Sequence, residues 1–418
     1  DEGIDVRATG VTITGNIIGL EADGAGGTGN DDVGIAVFSD STTIGGPTAA
    51  ERNVISRNWE GIEINSSGNV VQGNYIGTAA DGTTARGNDI GDGVEIQSGT
   101  GNLIGGTAAG AGNVIAFNQL EGVHITGGND NSVLGNQIHS NGTLGLDLGA
   151  TGVATNDGGD GDAGANDLLN HPQLAGPTLG GTSLGVDLDG PAGDYRIELF
   201  TNPTGGADPS GNGEGETLVH AETVTHTGSG VEAFTLTGVP AWTAGDVVTA
   251  TATEDLGGGT YGSTSEFSAW VVAGSLTATV NSTGDTGDAT PGDDVCDTGG
   301  TNSEGDPECT LRAAIEEANA SPVVDTIEFA VPTSDPGYSA SPLAYTFTPA
   351  SGYDLITETA TIDATTQAGW TGDPIIQLDG TSAVGATAGL ALRADDSRIS
   401  GFIVHSFPDE GLEIDGST

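Results

Sequence analysis

The chain contains no lysine and no methionine, and only eight of its 418 residues are basic, all of them arginine. Against them stand 59 acids, for a formal net charge of −51. Such a chain repels phosphate and anionic headgroups, so nucleic acid and anionic membrane are not expected partners. Missing lysine also removes amine nucleophiles. Aromatics are 5% of residues, few for a sugar-binding platform. No apolar run reaches the ~18 residues of a membrane-spanning helix. No basic-then-apolar leader opens the sequence, so it reads as an internal or processed piece of something larger. The two cysteines, Cys296 and Cys309, suit one disulfide in an oxidising compartment, the alternative being two buried thiols.

What the chain has in abundance is glycine, 73 residues, which brings the apolar-plus-glycine share to a globular level. Glycine without the every-third spacing of collagen points to many tight turns and an all-β architecture. The first 150 residues repeat. Ile44-Gly45-Gly46 recurs as Ile104-Gly105-Gly106, Asn53-Val54-Ile55 as Asn113-Val114-Ile115, and Asn58 as Asn118, each 60 positions on. Gly61-Ile62-Glu63-Ile64 matches Gly122-Val123-His124-Ile125. Gly15-Asn16-Ile17-Ile18 matches Gly73-Asn74-Tyr75-Ile76 and Gly135-Asn136-Gln137-Ile138. Each apolar segment is too short to stand alone and can bury its face only by stacking on the next. The expectation is a right-handed parallel β-helix, with Ile/Val columns inside and asparagines stacked as a side-chain ladder. The rival, a β-propeller, needs longer strands and hairpin turns.

The rest divides by pattern. Residues 151–170 are an acidic linker. Residues 171–273 carry alternating strands at 195–200, 218–224, 233–236 and 247–253, the pattern of an antiparallel, immunoglobulin- or fibronectin-like β-sandwich, with Trp242, Phe267 and Trp270 as its bulky core. Residues 275–331 form a cap. It holds a strand at 276–280, both cysteines, one helix over 310–319 capped by Thr310 and ended by Pro322, and a strand at 324–329. From 332 to 418 the solenoid rhythm returns, at 360–363, 375–379, 389–392 and 399–403. Asp409-Glu410-Gly411-Leu412-Glu413-Ile414 repeats Asp1-Glu2-Gly3-Ile4-Asp5-Val6, 408 positions later. The chain therefore reads as one period of a tandem array, with Asp1, Gly3, Ile4, Val6, Gly411, Leu412 and Ile414 at the contact between successive units.

The stretch Cys309-Thr310-Leu311-Arg312-Ala313-Ala314-Ile315 resembles the Cys-Ser-Leu-Arg-Glu-Ala-Ile motif of large repetitive prokaryotic surface proteins, with Thr310 in place of Ser and Ala313 in place of Glu. The rungs and the stretch from Ser210 to Ser268 are similar to the same family's helix and following sandwich. The resemblance implies a cap at the start of a β-helix and an extracellular, structural or adhesin-like role with no defined activity.

Chemistry in the residues themselves is sparse. Asp157, Asp160, Asp162, Asn166 and Asp167, with glycines between, are compatible with a hard-cation loop that would take calcium. Asp285, Asp288, Asp293, Asp294 and Asp297 form a second such loop, and solvated acidic loops are the plainer reading of both. The six histidines show no metal spacing, and His220 and His226 read as surface residues. Polysaccharide lyase chemistry would need a base beside carboxylates, and Arg52, Arg57 and Arg86 have no acidic cluster at matching rungs. No catalytic residue and no required cofactor is assigned. The expected role is that of a secreted structural protein joining end to end with copies of itself in a filament. A glycan- or cell-surface-binding module, reading through Trp59, Tyr75, Trp242, Tyr261 or Trp270, is the alternative, and a β-helix enzyme the third. The acidic surface fits high-salt adaptation or divalent-cation binding.

Overall fold

The computed structural model describes residues 2–177, 180–203, 210–243, 245–292, 295–320, 323–385 and 388–415. Three parallel sheets make up a first solenoid. Strands Ile4–Val6, Val33–Val37, Glu60–Asn65, Val94–Ser98, Val123–Ile125 and Leu146–Leu148 stack in one sheet. Thr12–Ile13, Thr43–Gly45, Val70–Gln72, Leu103–Gly105 and Ser132–Leu134 stack in the second. Ile17–Ile18, Val54–Ile55, Tyr75–Ile76, Val114–Ala116 and Gln137–His139 stack in the third. The chain visits the three sheets in turn, which makes it a parallel β-helix. Strands of two to six residues cannot bury a face alone. Stacked in register, Ile44, Val71, Ile104 and Val133 form one interior column and Ile55, Ile76, Ile115 and Ile138 another, nearly all without solvent exposure. Each such side chain contributes roughly 1.5–3 kcal/mol of burial.

The 60-residue repeat proves to be two coils. Corner residues Thr42, Asn69, Asn102 and Asn131 lie 27, 33 and 29 residues apart and occupy successive coils. Variable corner loops had disguised the single-coil period.

Asparagine ladders do form, one at each corner. Asn16, Asn53, Asn74, Asn113 and Asn136 make one, Asn69, Asn102, Asn131 and Asn166 a second, and Asn30, Asn58, Asn88, Asn118 and Asn141 the third. Each ladder has a direction. Asn74 donates both its backbone N–H and its Nδ2 to Asn113 Oδ1, at 2.9 and 3.1 Å, and Asn113 repeats this toward Asn136. The corner backbone, bent out of strand pairing, thus finds its partner in a side chain of the next coil.

Two antiparallel sheets follow. One holds Gln173–Leu174, Ser183–Leu188 and Glu232–Thr237. The other is built on Thr217–His226, Gly193–Asn202, Val247–Gly257 and Thr260–Thr264. These sheets and the first solenoid form one compact unit. Their aromatic residues close the solenoid. Phe200 and Phe267, ring centroids 5.4 Å apart, belong to the same apolar core as the Ile/Val columns. Phe267 sits so close over Gly145 that a Cβ there would lie 3.0 Å from its ring. Three buried glutamates end the open backbone of the last coils. Glu214 accepts from Asn141 N–H at 2.9 Å and from Ser140 N–H, Glu198 from Gly135 N–H at 2.8 Å, and Glu266 from Leu148 and Ala154 N–H at 3.0 and 2.8 Å. A carboxylate suits this task because it accepts several bonds and donates none.

Three expectations need correction. Trp270 is 40% exposed and is no core residue. Trp242 is buried but groups with the second unit, not with the sheets. His226 is buried, with Nε2 3.1 Å from the Leu188 and Gly230 carbonyls and its ring packed edge-on to Tyr195, so it is a packing residue. The alternation His-Thr within a strand hid which face was inward.

The second unit contains most of residues 272–415 and starts a new solenoid. Thr277–Val280, Asp325–Phe329, Ala360–Asp363 and Arg398–Ser400 stack in parallel. Leu343–Phe347, Ile376–Asp379 and Phe402–His405 form a second sheet, and Ala388–Leu392 with Glu410–Ile414 a third. The run expected at 399–403 is two strands, because Gly401, at φ 86°, turns the corner between them. Helix α1, Leu311–Ala320, is inserted between the first two coils. The Thr310 hydroxyl accepts from Ala313 N–H at 3.1 Å and so caps it, while Leu311, Ile315 and Ala318 are buried in the solenoid core. Pro322 lies outside the described residues. The Cys296–Cys309 disulfide is present.

Candidate functional site

The most chemically distinctive surface is the outer face of the first solenoid sheet. Residues just before the rung glycines align vertically, so Glu60, Asp92 and Glu121 are successive in one column. Glu63, Glu95, His124 and Asp147 are successive in the next. Parallel strands are ~4.8 Å apart, so these side chains meet. Two clusters result, Glu60 with Glu63 and Glu95, and Asp92 with Glu121 and His124, each with one oxygen or nitrogen per residue within 4.8 Å of the others.

Burial and mutual repulsion shape their ionisation. Burial, reinforced by the charges of Glu95, Asp92, Glu63 and Asp32, pushes Glu60 up to about 9. Its Oε1 is shut off from solvent and has no hydrogen-bond partner. Burial and the neighbouring Asp92 push Glu121 up to about 7. For His124 burial works against protonation, but the hydrogen bond and charge of Asp92, with Gly149 and Asp147, outweigh it and raise the ring to about 9. Asp147 is fully buried, is raised by burial, and its Oδ1 also lacks a donor.

The chain matches no family model, no curated protein and no solved structure.

The residues expected to ligate a cation are only partly brought together. Asp157, Asp160 and Asp162 cluster within 4.8 Å. Asn166 does not join them. Its Oδ1 accepts from Asn131 N–H and its Nδ2 donates to the Asn131 and Thr264 carbonyls, which ends a ladder. Asp167 is engaged by Asn129 Nδ2 at 2.6 Å and the Ser263 hydroxyl at 3.3 Å. In the second acidic loop Asp285 is held by Arg312 at 2.8 Å, Asp288 accepts from Thr290 and Asp297 N–H, and Asp293 and Asp294 lie outside the described residues. Of the aromatics considered as platforms, Tyr75 is covered by the Arg52 guanidinium at 4.0 Å and Trp242 is buried, whereas Trp59 is 49% exposed. Asp92 and Glu121 lie outside the acid-rich loops, so acidic composition alone does not mark them. The signal was the acid preceding each rung glycine, at Glu60-Gly61, Asp92-Gly93 and Glu121-Gly122.

The expected contact residues lie on edge strands. Ile4–Val6 ends one sheet and Glu410–Ile414 another. Ile4 pairs with Ile35 and Val6 with Val37, and in the same alternation Leu390 pairs with Leu412 and Leu392 with Ile414. Leu412 and Ile414 are 39% and 72% exposed, whereas Val6 is buried by the coil that follows it. Gly3 precedes strand Ile4–Val6, whereas Gly411 is the second residue of Glu410–Ile414, and Asp1 lies outside the described residues.

Among the described residues no helix is long and apolar enough to cross a membrane.

Proposed function

We propose that this chain is a unit of an extracellular structural protein whose units follow one another head to tail, along one polypeptide or by edge pairing. One observation carries the reading. Strand Glu410–Ile414 repeats the sequence pattern of Ile4–Val6, 408 positions on, and pairs with its neighbouring coil in the same in/out alternation. An unpaired strand edge is adhesive and its natural occupant is another strand of matching register. A head-to-tail contact between two different surfaces propagates instead of closing. The asparagine ladders support the same direction. Asn16 and Asn30 donate to the coil after them, as Asn53 and Asn58 do in turn, so the two ends of the solenoid differ. The disulfide fits an oxidising, extracellular setting. The dense negative charge keeps such assemblies soluble and makes their association sensitive to salt.

Sedimentation of the purified chain at rising concentration and salt tests this. Wild type forms a ladder of oligomers. Ile4→Lys and Leu412→Lys each remain monomeric, and their equimolar mixture forms dimers and nothing longer, because each retains one intact edge. Wild type that stays monomeric throughout contradicts the reading.

A further inference from the structure

We infer that Asp92, Glu121 and His124 bind one divalent transition-metal ion of the zinc or cobalt type, clamping two successive coils of the first solenoid. The geometry leads there from three sides. First, His124 Nε2 lies 3.2 Å from the Gly149 carbonyl. A carbonyl only accepts, so Nε2 carries a proton, and it is Nδ1 that faces the carboxylates, where a metal ion would displace the proton that the ion-free ring shares with Asp92. A histidine fixed through its far nitrogen by a backbone carbonyl is the usual second layer of support in a metal site. Second, Nδ1 is 3.4 Å from Asp92 Oδ2. With metal–ligand bonds of about 2.0–2.2 Å, the edge of a tetrahedral site is roughly 3.4 Å. Third, Glu121 is 3% exposed, its carboxylate lies within 4.8 Å of the other two ligand atoms, and its own hydrogen bonds are with its backbone N–H and the Asp92 carboxyl, inside the cluster. Asp92, 6% exposed, uses Oδ1 on the Glu121 N–H at 3.0 Å and keeps Oδ2 for the cluster.

Two carboxylates and one imidazole nitrogen therefore converge, both carboxylates on nearly buried residues, and Asp147, with its own unpartnered oxygen, lies beside His124 on the adjoining coil. A cation resolves what protons otherwise must. One imidazole with two carboxylates favours a first-row transition ion over calcium, which prefers six to eight oxygens. Asp92 comes from one coil and Glu121 and His124 from the next, so the ion ties the coils together. This inference does not depend on head-to-tail assembly.

The test is a titration of chelator-treated protein with Co²⁺ in high salt, where loose ions over the acidic surface are screened. The expected result is one saturable equivalent with a visible d–d spectrum, displaced by Zn²⁺. Glu121→Gln and His124→Gln each weaken it by at least ~10-fold, while Glu63→Gln, in the all-carboxylate cluster, leaves it in place. X-ray absorption of the zinc-loaded wild type reads the same ligand set without any substitution and shows imidazole scattering. The inference is overturned by the absence of a saturable site, by a zinc spectrum without imidazole, or by equal affinity in Glu121→Gln and wild type. Each of these leaves a proton-sharing triad.

Discussion

Asn113→Ala is the substitution that most searches the ladder account. Asn113 is 1% exposed and its side chain serves three residues. Its Oδ1 accepts from Asn74 N–H and Nδ2, and its Nδ2 donates to the Val71 carbonyl at 2.8 Å and to Asn136 Oδ1 at 2.9 Å. In the alanine variant the Asn74 N–H has no acceptor, Asn74 Nδ2 retains only the Ile44 carbonyl, and Val71 loses a donor. An orphaned buried donor costs about 1–3 kcal/mol and each lost buried bond about 1, so the variant should lose roughly 2–4 kcal/mol. Asn113→Asp keeps the acceptor for Asn74 but sets a carboxylate oxygen against Val71 O and Asn136 Oδ1. It should be worse than alanine at pH 7 and recover in acid, when a protonated carboxyl can donate again. Urea unfolding followed by Trp59 fluorescence, with hydrogen exchange of the amides at 70–76, reads both. An alanine variant within ~0.5 kcal/mol of wild type, or an aspartate variant no worse than alanine, refutes the reasoning.

Phe267→Ala withdraws the ring from the end of the solenoid core and should cost ~3–5 kcal/mol with increased dye binding to exposed apolar surface; an unchanged melting temperature contradicts the plug. Burial and the adjacent Asp147 raise Glu266 to about 7, despite the Leu148 and Ala154 N–H bonds that oppose the shift. The folded state thus holds this proton more tightly than the unfolded chain, so its penalty is absent below pH ~4.5, grows between 4.5 and 7, and reaches ~3 kcal/mol above that range. Glu266→Gln should flatten the stability profile over that window, measured by denaturation at a series of pH values. Replacing both Cys296 and Cys309 by serine opens a short loop worth about 3 kcal/mol; it should lower the melting of the second unit, as reductant does for wild type, and leave the first unit unchanged.

The repeating parts of the fold were legible in the sequence, because a coil that stacks on its neighbours must place Ile, Val, Asn and Gly at the same corners. That made the Ile44 and Ile104 columns and the Asn53–Asn113 ladder visible. The true coil was harder to see, since corner loops of unequal length leave only every second coil in close alignment. The role of the antiparallel sheets as a plug was not visible at all. Phe200, Phe267, Glu198, Glu214 and Glu266 act on residues 60 to 130 positions away, and nothing local marks Phe267 as facing the Ile/Val columns. The same holds at the acidic face, where Asp92 and His124 become neighbours only through coil register. Helix α1 was readable because it is short, periodic and capped by Thr310, and its Arg312 contact to Asp285 then explained why that aspartate is not free for a cation.

Under the proposed function, coils continue from unit to unit. Electron microscopy of the native material tests it most directly. Filaments whose density repeats once per 408-residue period, with no gap in the ~4.8 Å coil spacing where Glu410–Ile414 meets the next unit, are the predicted result. Discrete particles with covered ends at Ile4–Val6 and Glu410–Ile414 would contradict it.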